Sequence, residues 1–310
     1  MIKQNLSTVA ILFWVTTSVF SQNKISEALN TYFEQAKKGA STLSISEKLL
    51  TFNNIDVLSE VEGFTADTSV DKRFAAYRLI DYLGHNVTSQ DICKRALKQL
   101  IFGLSDRDGG IVGVNLKSIS SFNVNSFDAE LKYMISELAK LKQPHYDMFI
   151  KLCGWLDTKD LIYNFRKMIT EKSGDVRSRW AMRLAMARMG EADMVDYCLQ
   201  RVKKIPVNDD VVYDLVPDIL YTRQKLLFDY LLGIIESDEK NCSSPNPDSD
   251  VKLICAYRVM EQMAPYIDKF PIEVDASGDL KVKDYDKALI EVRGWIMDNR
   301  ETYVIKRDDF

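Results

Sequence analysis

The residues that most often carry catalysis are few in this chain, and their spacing matches no common catalytic motif. The only histidines are His85 and His145, and neither lies in a His-Glu-x-x-His zinc motif. The sequence contains no Cys-x-x-Cys pair and none of the glycine-rich motifs that bind dinucleotides or nucleoside phosphates. His85 follows Gly84 at a predicted helix end, where an imidazole can meet the last carbonyl groups. We therefore expect no catalytic residues, no metal and no cofactor.

One group of oxygen-bearing side chains near the end of the chain matches part of a calcium-binding loop. Asp275, Ser277, Asp279 and Asp286 fall at positions 1, 3, 5 and 12 of that loop. Leu280 stands where the loop needs glycine for its sharp turn, and Asp286 replaces the bidentate glutamate. A hairpin turn is therefore expected here rather than a calcium site.

Four recurring tyrosines are the candidate binding residues: Tyr133, Tyr163, Tyr197 and Tyr230. Tyr197 and Tyr230 are 33 residues apart, Tyr133 and Tyr197 are 64 apart, and Tyr163 falls between them. Tyrosine suits recognition because its ring buries a large area at low entropic cost and its hydroxyl adds specificity. At equivalent positions on successive helices the rings would form a row with a spacing of roughly 10 Å. Packing between helix layers is the alternative role for these tyrosines.

The five cysteines fall into two settings. Four of them lie in apolar helical stripes, where a thiol behaves as a small hydrophobic group: Cys93, Cys153, Cys198 and Cys255. Cys242 lies in a polar loop and is the candidate for a disulfide bridge or a reactive thiol. The sequence thus predicts four buried thiols and labelling of Cys242 alone.

Four arginines lie close together in one predicted helix: Arg177, Arg179, Arg183 and Arg188. At about 100° per residue, Arg179 and Arg183 share one edge, whereas Arg177 and Arg188 lie far round the helix. They therefore should not converge on an anion. We expect them to link neighbouring helix pairs through aspartates.

The elements that position these residues form a repeat. Apolar helices open at five aspartates, which can cap a helix N-terminus: Asp71, Asp108, Asp175, Asp210 and Asp250. Each is followed by a second amphipathic helix, at residues 90–102, 127–141, 159–169, 194–202 and 223–235. Neither helix of such a pair can cover its apolar face alone, so the pairs are expected to stack.

The stretch from Gly174 to Val202 has Asp-Val-Arg at its start, Ala-Met-Arg-Leu-Ala in its first helix and Met-Gly-Glu at its turn. With these motifs it resembles a HEAT or HEAT-like repeat. Weaker versions of this unit extend the resemblance over about residues 69–267, and the closing segment resembles that of other exported bacterial HEAT-like proteins. The resemblance implies an all-α fold, an α-α superhelix of antiparallel helix pairs that mostly serves protein recognition. The resemblance of the closing segment implies no known catalytic activity.

The two ends of the chain differ from the repeats. Lys3 precedes an apolar run from Val9 to Phe20, and small residues precede Gln22, as in a cleaved secretory signal peptide. A run of this length spans about 18 Å as a helix, too short for the roughly 30 Å of a bilayer core. We predict a signal peptide at 1–21, an N-terminal helical cap at 22–66, HEAT-like repeats at 67–267 and a C-terminal cap at 268–310. The last contains a β-hairpin at 272–282 and a final helix at 285–299.

The composition and charge of the chain limit the kinds of partner that it is expected to bind. The net charge is −4, so no global positive field would attract a nucleic acid. Only 13 glycines and 7 prolines are present, which favours helices over turn-rich strands. The sequence predicts a periplasmic or extracellular protein, without a transmembrane segment in the mature chain, that binds a protein or peptide as a scaffold of the cell envelope. The alternative is an enzyme on a HEAT-like scaffold with an unidentified substrate.

Overall fold

The computed structural model describes residues 23–37, 45, 47–87, 89–244, 246, 248–275 and 279–310. The predicted signal peptide and Ser277 lie outside the described residues. Helices dominate the described part, and its one sheet has two short antiparallel strands. The chain divides into two compact units, one ending at His145 and the other beginning at Tyr146. The boundary falls within the predicted repeat region 67–267.

The first unit is built from helices that pack in two alternating rows. They are α1 (23–36), α2 (Glu47–Leu50), α3 (Asn54–Glu62), α4 (Val70–His85), α5 (Gln90–Phe102), α6 (Gly109–Ser120) and α7 (Ala129–Ala139). Helix α5 contacts α3 and α7, whereas α4 contacts α6. Leucine, isoleucine and valine side chains fill the space between the rows, which removes most of their apolar area from water.

The second unit repeats this arrangement. Its helices are α8 (Tyr146–Trp155), α9 (Ile162–Thr170), α10 (Val176–Arg188), α11 (Ala192–Val202), α12 (Val216–Thr222), α13 (Lys225–Glu236), α14 (Ala256–Met263) and α15 (Tyr285–Asn299). One row follows α8, α10, α12 and α14, and the other follows α11, α13 and α15. Helix α9 packs on α10. A π-helical turn, Val211–Leu215, leads into α12.

Two of the predicted aspartate caps are present. The Asp108 carboxylate accepts a hydrogen bond from the Ile111 amide at 3.1 Å, and Asp175 accepts one from the Ser178 amide at 2.6 Å. These bonds satisfy amides that have no partner within the first turn of a helix. The prediction is confirmed for α6 and α10.

The other three aspartates do not cap helices. Asp71 lies inside the first turn of α4, whose N-cap is Ser69. Asn208, not Asp210, accepts a hydrogen bond from the amide at the start of the π-helical turn, at 3.0 Å. Asp250 precedes a strand, and α14 begins only at Ala256. An aspartate before an apolar stretch is therefore not sufficient to predict where a helix starts.

The two-stranded sheet lies outside the predicted hairpin. Strand β1 (Cys242–Ser243) pairs with β2 (Lys252–Leu253), and Cys242 faces Leu253 across the pair. Among the described residues of 272–282, the structure has one antiparallel bridge, between Val274 and Leu280. The segments on either side run antiparallel as predicted, but their described residues form no ladder of successive pairs.

Cys242 forms a disulfide bridge, one of the two possibilities that the sequence left open, so the prediction that it alone labels as a free thiol is wrong. Its sulfur is bonded to that of Cys255, 13 residues later, and its side chain is buried. Cys255, the residue before α14, is buried as predicted, but it is a disulfide partner and not a free thiol. Cys153 and Cys198 are buried thiols as predicted, and burial raises the pKa of each to about 12. Cys93 is only partly buried.

A buried ion pair joins helix α4 to the loop before α6. Arg73 donates from Nε and Nη2 to the two carboxylate oxygens of Asp106, each at 2.8 Å. Both side chains are at most 4% exposed. Arg73 also donates to the carbonyl groups of Asp67 and Thr68, so its charge is compensated on several sides.

None of the helices in the described ranges is both long and apolar enough to cross a bilayer.

Candidate functional site

The four predicted tyrosines lie on α7, α9, α11 and α13, but their environments differ. Tyr133, Tyr163 and Tyr197 are 63%, 75% and 41% exposed. Tyr230 is half-buried. Three of the rings are thus available at the surface of their own unit, Tyr133 in the first and the other two in the second.

Tyr230 takes part in packing within the second unit. Its hydroxyl donates to the Val202 carbonyl oxygen at 3.3 Å, which connects α13 to the end of α11. Burial raises its pKa above the usual value. The ring also lines a cavity of about 310 Å³ together with Gly233, Ser237 and Cys255.

Tyr197 lies in a groove of about 360 Å³ on the surface of α11. The groove, which we call the Tyr197 groove, is lined by Tyr197, Gln200, Arg201, Lys204 and Ile205. Their spacing of three, four and seven residues places the polar members on one side of a helix and the turn that follows it. The local sequence therefore gathers an aromatic ring and two cations at one place.

Two arginines at or beside the groove stack on aromatic rings: Arg201, which lines the groove, and Arg183, which stacks on Tyr197. The Arg183 guanidinium lies 4.6 Å from the centre of the Tyr197 ring, and that of Arg201 lies 5.0 Å from the centre of the Trp180 ring. Stacking of this kind orients a guanidinium while leaving its edge free to donate hydrogen bonds. Within the described residues, neither Arg201 nor Lys204 makes an ion pair with a carboxylate.

The groove combines the features that recognise an acidic peptide segment. Its cations can pair with carboxylates, and Tyr197 offers apolar area with a hydroxyl at its edge. The spacing of the tyrosines in the sequence had identified Tyr197 as a candidate binding residue. The residues that sequence reasoning missed are Arg201 and Lys204, although their positions relative to Tyr197 provided a signal that could have found them.

Tyr163 lies on a helix that is joined to α11 by a charged network. Arg166 donates from Nη1 to Asp193 and from Nη2 to Glu191, each at 2.6 Å. These hydrogen bonds from Arg166 hold the pKa of Asp193 below its usual range. The network fixes α9 against the start of α11 through exposed groups, so it contributes modestly to stability.

The arginines of α10 contact different partners. Arg177 Nε lies 2.6 Å from an Asp147 carboxylate oxygen and links α10 to α8, as expected for an arginine that joins helix pairs. Arg179 instead donates to the Gly174 carbonyl oxygen at 2.5 Å. Arg188 donates to the carbonyl oxygen of Tyr221 at 2.6 Å. The expectation of aspartate links thus holds for Arg177 only.

The imidazole rings of both histidines lie within hydrogen-bonding distance of main-chain carbonyl oxygens. His85 Nδ1 lies 3.0 Å from the Asp81 carbonyl oxygen in the last turn of α4, in agreement with a capping role. Its ring packs 3.8 Å from that of Phe122, centre to centre. A side chain at Gly84 would approach Phe122 within 2.9 Å, so only glycine fits beside this contact. His145 Nε2 lies 2.9 Å from the Gly109 carbonyl oxygen.

Of the calcium-loop residues that the structure describes, Asp275 and Asp279 lie on the two sides of a turn, and Asp286 lies in the first turn of α15. Asp275 accepts a hydrogen bond from the Asp279 amide at 3.1 Å, and Asp286 accepts one from the Tyr257 hydroxyl. No group of three potential metal ligands occurs among the residues whose positions are described. The Asp275 carboxylate therefore stabilises a turn, and the Asp286 carboxylate joins α15 to Tyr257 of α14.

Comparison of the chain with protein-family models gave no match, and comparisons with curated proteins and with solved structures gave no significant match either.

Proposed function

We propose that the chain is an exported protein-binding or scaffold protein of the cell envelope, which binds an acidic segment of a partner protein at the Tyr197 groove. The observation that carries this proposal is the grouping of an exposed tyrosine with Arg201 and Lys204, two cations without an ion-pair partner in the described part of the chain. Binding-energy hot spots are enriched in tyrosine and arginine.

The arrangement of helices supports this role. Each unit packs its helices in two rows, as a HEAT-like repeat array does, and we propose that each unit is a HEAT-like superhelical array. Such an array presents its successive second helices on one surface, where tyrosines at repeat spacing can contact one extended partner. Tyr163, in the same unit as Tyr197, is then a further contact position, and Tyr133 is the corresponding candidate on the first unit.

The disulfide supports export. Cys242 and Cys255 are bonded, and disulfides persist in oxidising compartments such as the periplasm and the extracellular space. Together with the N-terminal signal pattern, this favours a location outside the cytoplasm, with the mature chain beginning at Gln22.

The test is peptide binding measured by fluorescence anisotropy. The probe is a fluorescein-labelled peptide of alternating glutamate and phenylalanine, and its comparison is a peptide with lysine in place of glutamate. We expect the acidic peptide to bind more tightly, and Tyr197→Ala and Arg201→Gln each to weaken binding about 30-fold, which corresponds to the loss of about 2 kcal/mol at a hot-spot residue.

Tyr213→Ala is the matched control. Tyr213 is 58% exposed and lies 5.0 Å from the Arg258 guanidinium, so it also is a surface tyrosine stacked with an arginine, but it lies outside the groove. Its replacement should leave binding unchanged. Equal binding of the two peptides, or full binding by Tyr197→Ala, would refute the proposed site.

A further inference from the structure

A serine, a histidine and an aspartate of the first unit contact one another in sequence at the ends of α4 and α6. The Ser121 hydroxyl oxygen lies 3.1 Å from Nε2 of His85. Nδ1 of the same imidazole lies 3.2 Å from a carboxylate oxygen of Asp81. Serine, imidazole and carboxylate in this order activate a serine hydroxyl in hydrolases of unrelated folds. We call these three residues the Ser121 triad.

The packing of α4 on α6 brings the triad together. His85 is the last residue of α4, Asp81 lies one turn before it on the same side, and Ser121 directly follows α6. The two helix ends approach closely, since a side chain at Gly84 would come within 2.9 Å of the Phe122 ring. His85 and Ser121 are 36 residues apart, so no local sequence motif contains both.

A main-chain contact determines which nitrogen of His85 can act as a base. Nδ1 lies 3.0 Å from the Asp81 carbonyl oxygen. A carbonyl oxygen only accepts hydrogen bonds, so Nδ1 carries the hydrogen of the neutral ring, and Nε2 keeps a lone pair that faces Ser121. The contact that caps α4 therefore also presents Nε2 as a general base.

Two further contacts fix the imidazole and its counter-charge. The His85 ring packs on that of Phe122, with 3.8 Å between the ring centres. The Asp81 carboxylate is held from α6 by a hydrogen bond with the Ser118 side chain. Because the Nδ1 hydrogen is taken by the main-chain carbonyl oxygen, this carboxylate acts through its charge, which stabilises the imidazolium that forms when Nε2 takes up a proton.

The reacting groups are accessible from solvent. Ser121 and His85 are both exposed, and the imidazole side chain keeps 33% of its surface in contact with water. The Ser121 hydroxyl also lies 2.7 Å from the Ser118 carbonyl oxygen, and a hydroxyl hydrogen rotates between two such acceptors. The orientation toward Nε2 is the reactive one, because only the imidazole can remove the proton.

We propose that the Ser121 triad hydrolyses a carboxylic ester, with Ser121 as nucleophile, His85 as general base and Asp81 as a positioning residue. The Ser121 oxygen bonds to the ester carbonyl carbon while its proton passes to Nε2. The bond from that carbon to the alcohol oxygen then breaks, and the alcohol leaves with the proton. Water attacks the resulting acyl-serine by the same route, which releases the carboxylic acid and restores the hydroxyl.

The surface around the triad favours an ester with a short acyl group, such as an acetate. Phe122, the aromatic neighbour of the imidazole, is only 5% exposed, so it offers little apolar area to a long acyl chain. The triad belongs to the first unit and the Tyr197 groove to the second, so this activity does not depend on the proposed peptide binding.

The test is hydrolysis of p-nitrophenyl acetate by the whole chain, together with covalent labelling by a fluorescent fluorophosphonate. In the labelling reaction the serine oxygen bonds to phosphorus and fluoride leaves. We expect mass spectrometry to locate the adduct on Ser121. Ser121→Ala should abolish the adduct and the hydrolysis, and His85→Gln should slow both about 100-fold, the lower end of the effect of a general base.

Asp81→Asn tests the positioning residue. It should lower kcat for p-nitrophenyl acetate and leave KM unchanged, because the carboxylate stabilises the imidazolium of the transition state and does not touch the substrate. An unchanged kcat would remove Asp81 from the assignment. Absence of an adduct on Ser121 in the wild type, or equal labelling of the wild type and His85→Gln, would overturn the proposal as a whole.

Ser120→Ala is the matched control. The Ser120 hydroxyl donates to the Lys117 carbonyl oxygen at 2.8 Å, as that of Ser121 does to Ser118, but it is not paired with an imidazole in the described part of the chain. Its replacement should leave labelling and hydrolysis unchanged. Thermal melting should give the same midpoint for the Ser120, Ser121 and His85 variants as for the wild type. Equal loss of hydrolysis in Ser120→Ala and Ser121→Ala would contradict the assignment.

Discussion

At Asp106, burial and hydrogen bonding act in opposite directions on one carboxylate. Burial disfavours its charged form, but the hydrogen bonds from Arg73 and from the Asp108 amide outweigh it and hold the pKa of Asp106 below its usual value. Asp106 therefore stays ionised in the folded chain under conditions where an ordinary carboxylate becomes protonated.

Replacing Asp106 by asparagine should cost about 3 kcal/mol or more of unfolding free energy at neutral pH, because Arg73 is left buried without its counter-charge. The folded pKa is depressed, so the stabilisation is complete above the unfolded value of about 4 and is lost as the pH falls through the folded value. Urea unfolding of wild type and Asp106→Asn from neutral pH to about pH 2.5 measures both effects.

Asp71→Asn is the control for this pair, since Asp71 is exposed on the same helix as Arg73. It should leave stability within about 0.5 kcal/mol. If the stability of Asp106→Asn fell as steeply with acid as that of the wild type, the ion pair would not be the source of the pH dependence.

Single residues were predicted best where their neighbours in sequence decide their setting. The capping by Asp175 and the burial of Cys153 follow from the local sequence and its helical spacing. The sequence identified Cys242 as a candidate for a disulfide bridge, but its partner, Cys255, and the proximity of Arg188 to Arg223 depend on contacts between distant residues. No local pattern indicates such contacts, so the partner and the proximity could not be predicted.

At the level of elements, substitutions of the capping residues can test the predicted helix starts against the observed ones. Asp175→Ala should destabilise the chain by about 1 kcal/mol, because the Ser178 amide loses its acceptor. Asp250→Ala is the matched variant, since this aspartate was predicted to open a helix but precedes a strand instead. It should be nearly neutral.

Chemical denaturation of the two variants decides between the sequence pattern and the observed starts. Equal losses at both positions would mean that Asp250 caps a helix after all. A negligible loss for Asp175→Ala would show that the α10 start is held by packing alone.

The helices were largely predicted because their apolar periodicity is strong. The predicted bounds 90–102 and 285–299 are those of α5 and α15. The strands were not predicted, because two-residue strands show no alternation and their pairing depends on the disulfide-closed loop. The Val274–Leu280 bridge shows that alternation around 272–282 indicated a chain reversal rather than a ladder.

For the whole molecule, composition and repeat spacing led to the correct fold class, a predominantly helical chain. Neither could define the division at His145 and Tyr146, because helix pairs continue on both sides of it. The proposed HEAT-like array of each unit rests on its two rows of helices, and the proposed protein-binding role rests on the Tyr197 groove.

The Cys242–Cys255 bond makes recombinant production of this chain sensitive to the choice of compartment. The chain has five cysteines, of which Cys93, Cys153 and Cys198 are free. Material secreted into an oxidising compartment should therefore give three thiols per chain when titrated in denaturant, whereas material from a reducing cytosol should give five. The cytosolic form should be less stable by about 3 kcal/mol, the value expected for opening a loop of this size. Cys242→Ala in the secreted form should reproduce that loss, whereas Cys93→Ala should not, and five thiols in the secreted wild type would show that the bond does not form.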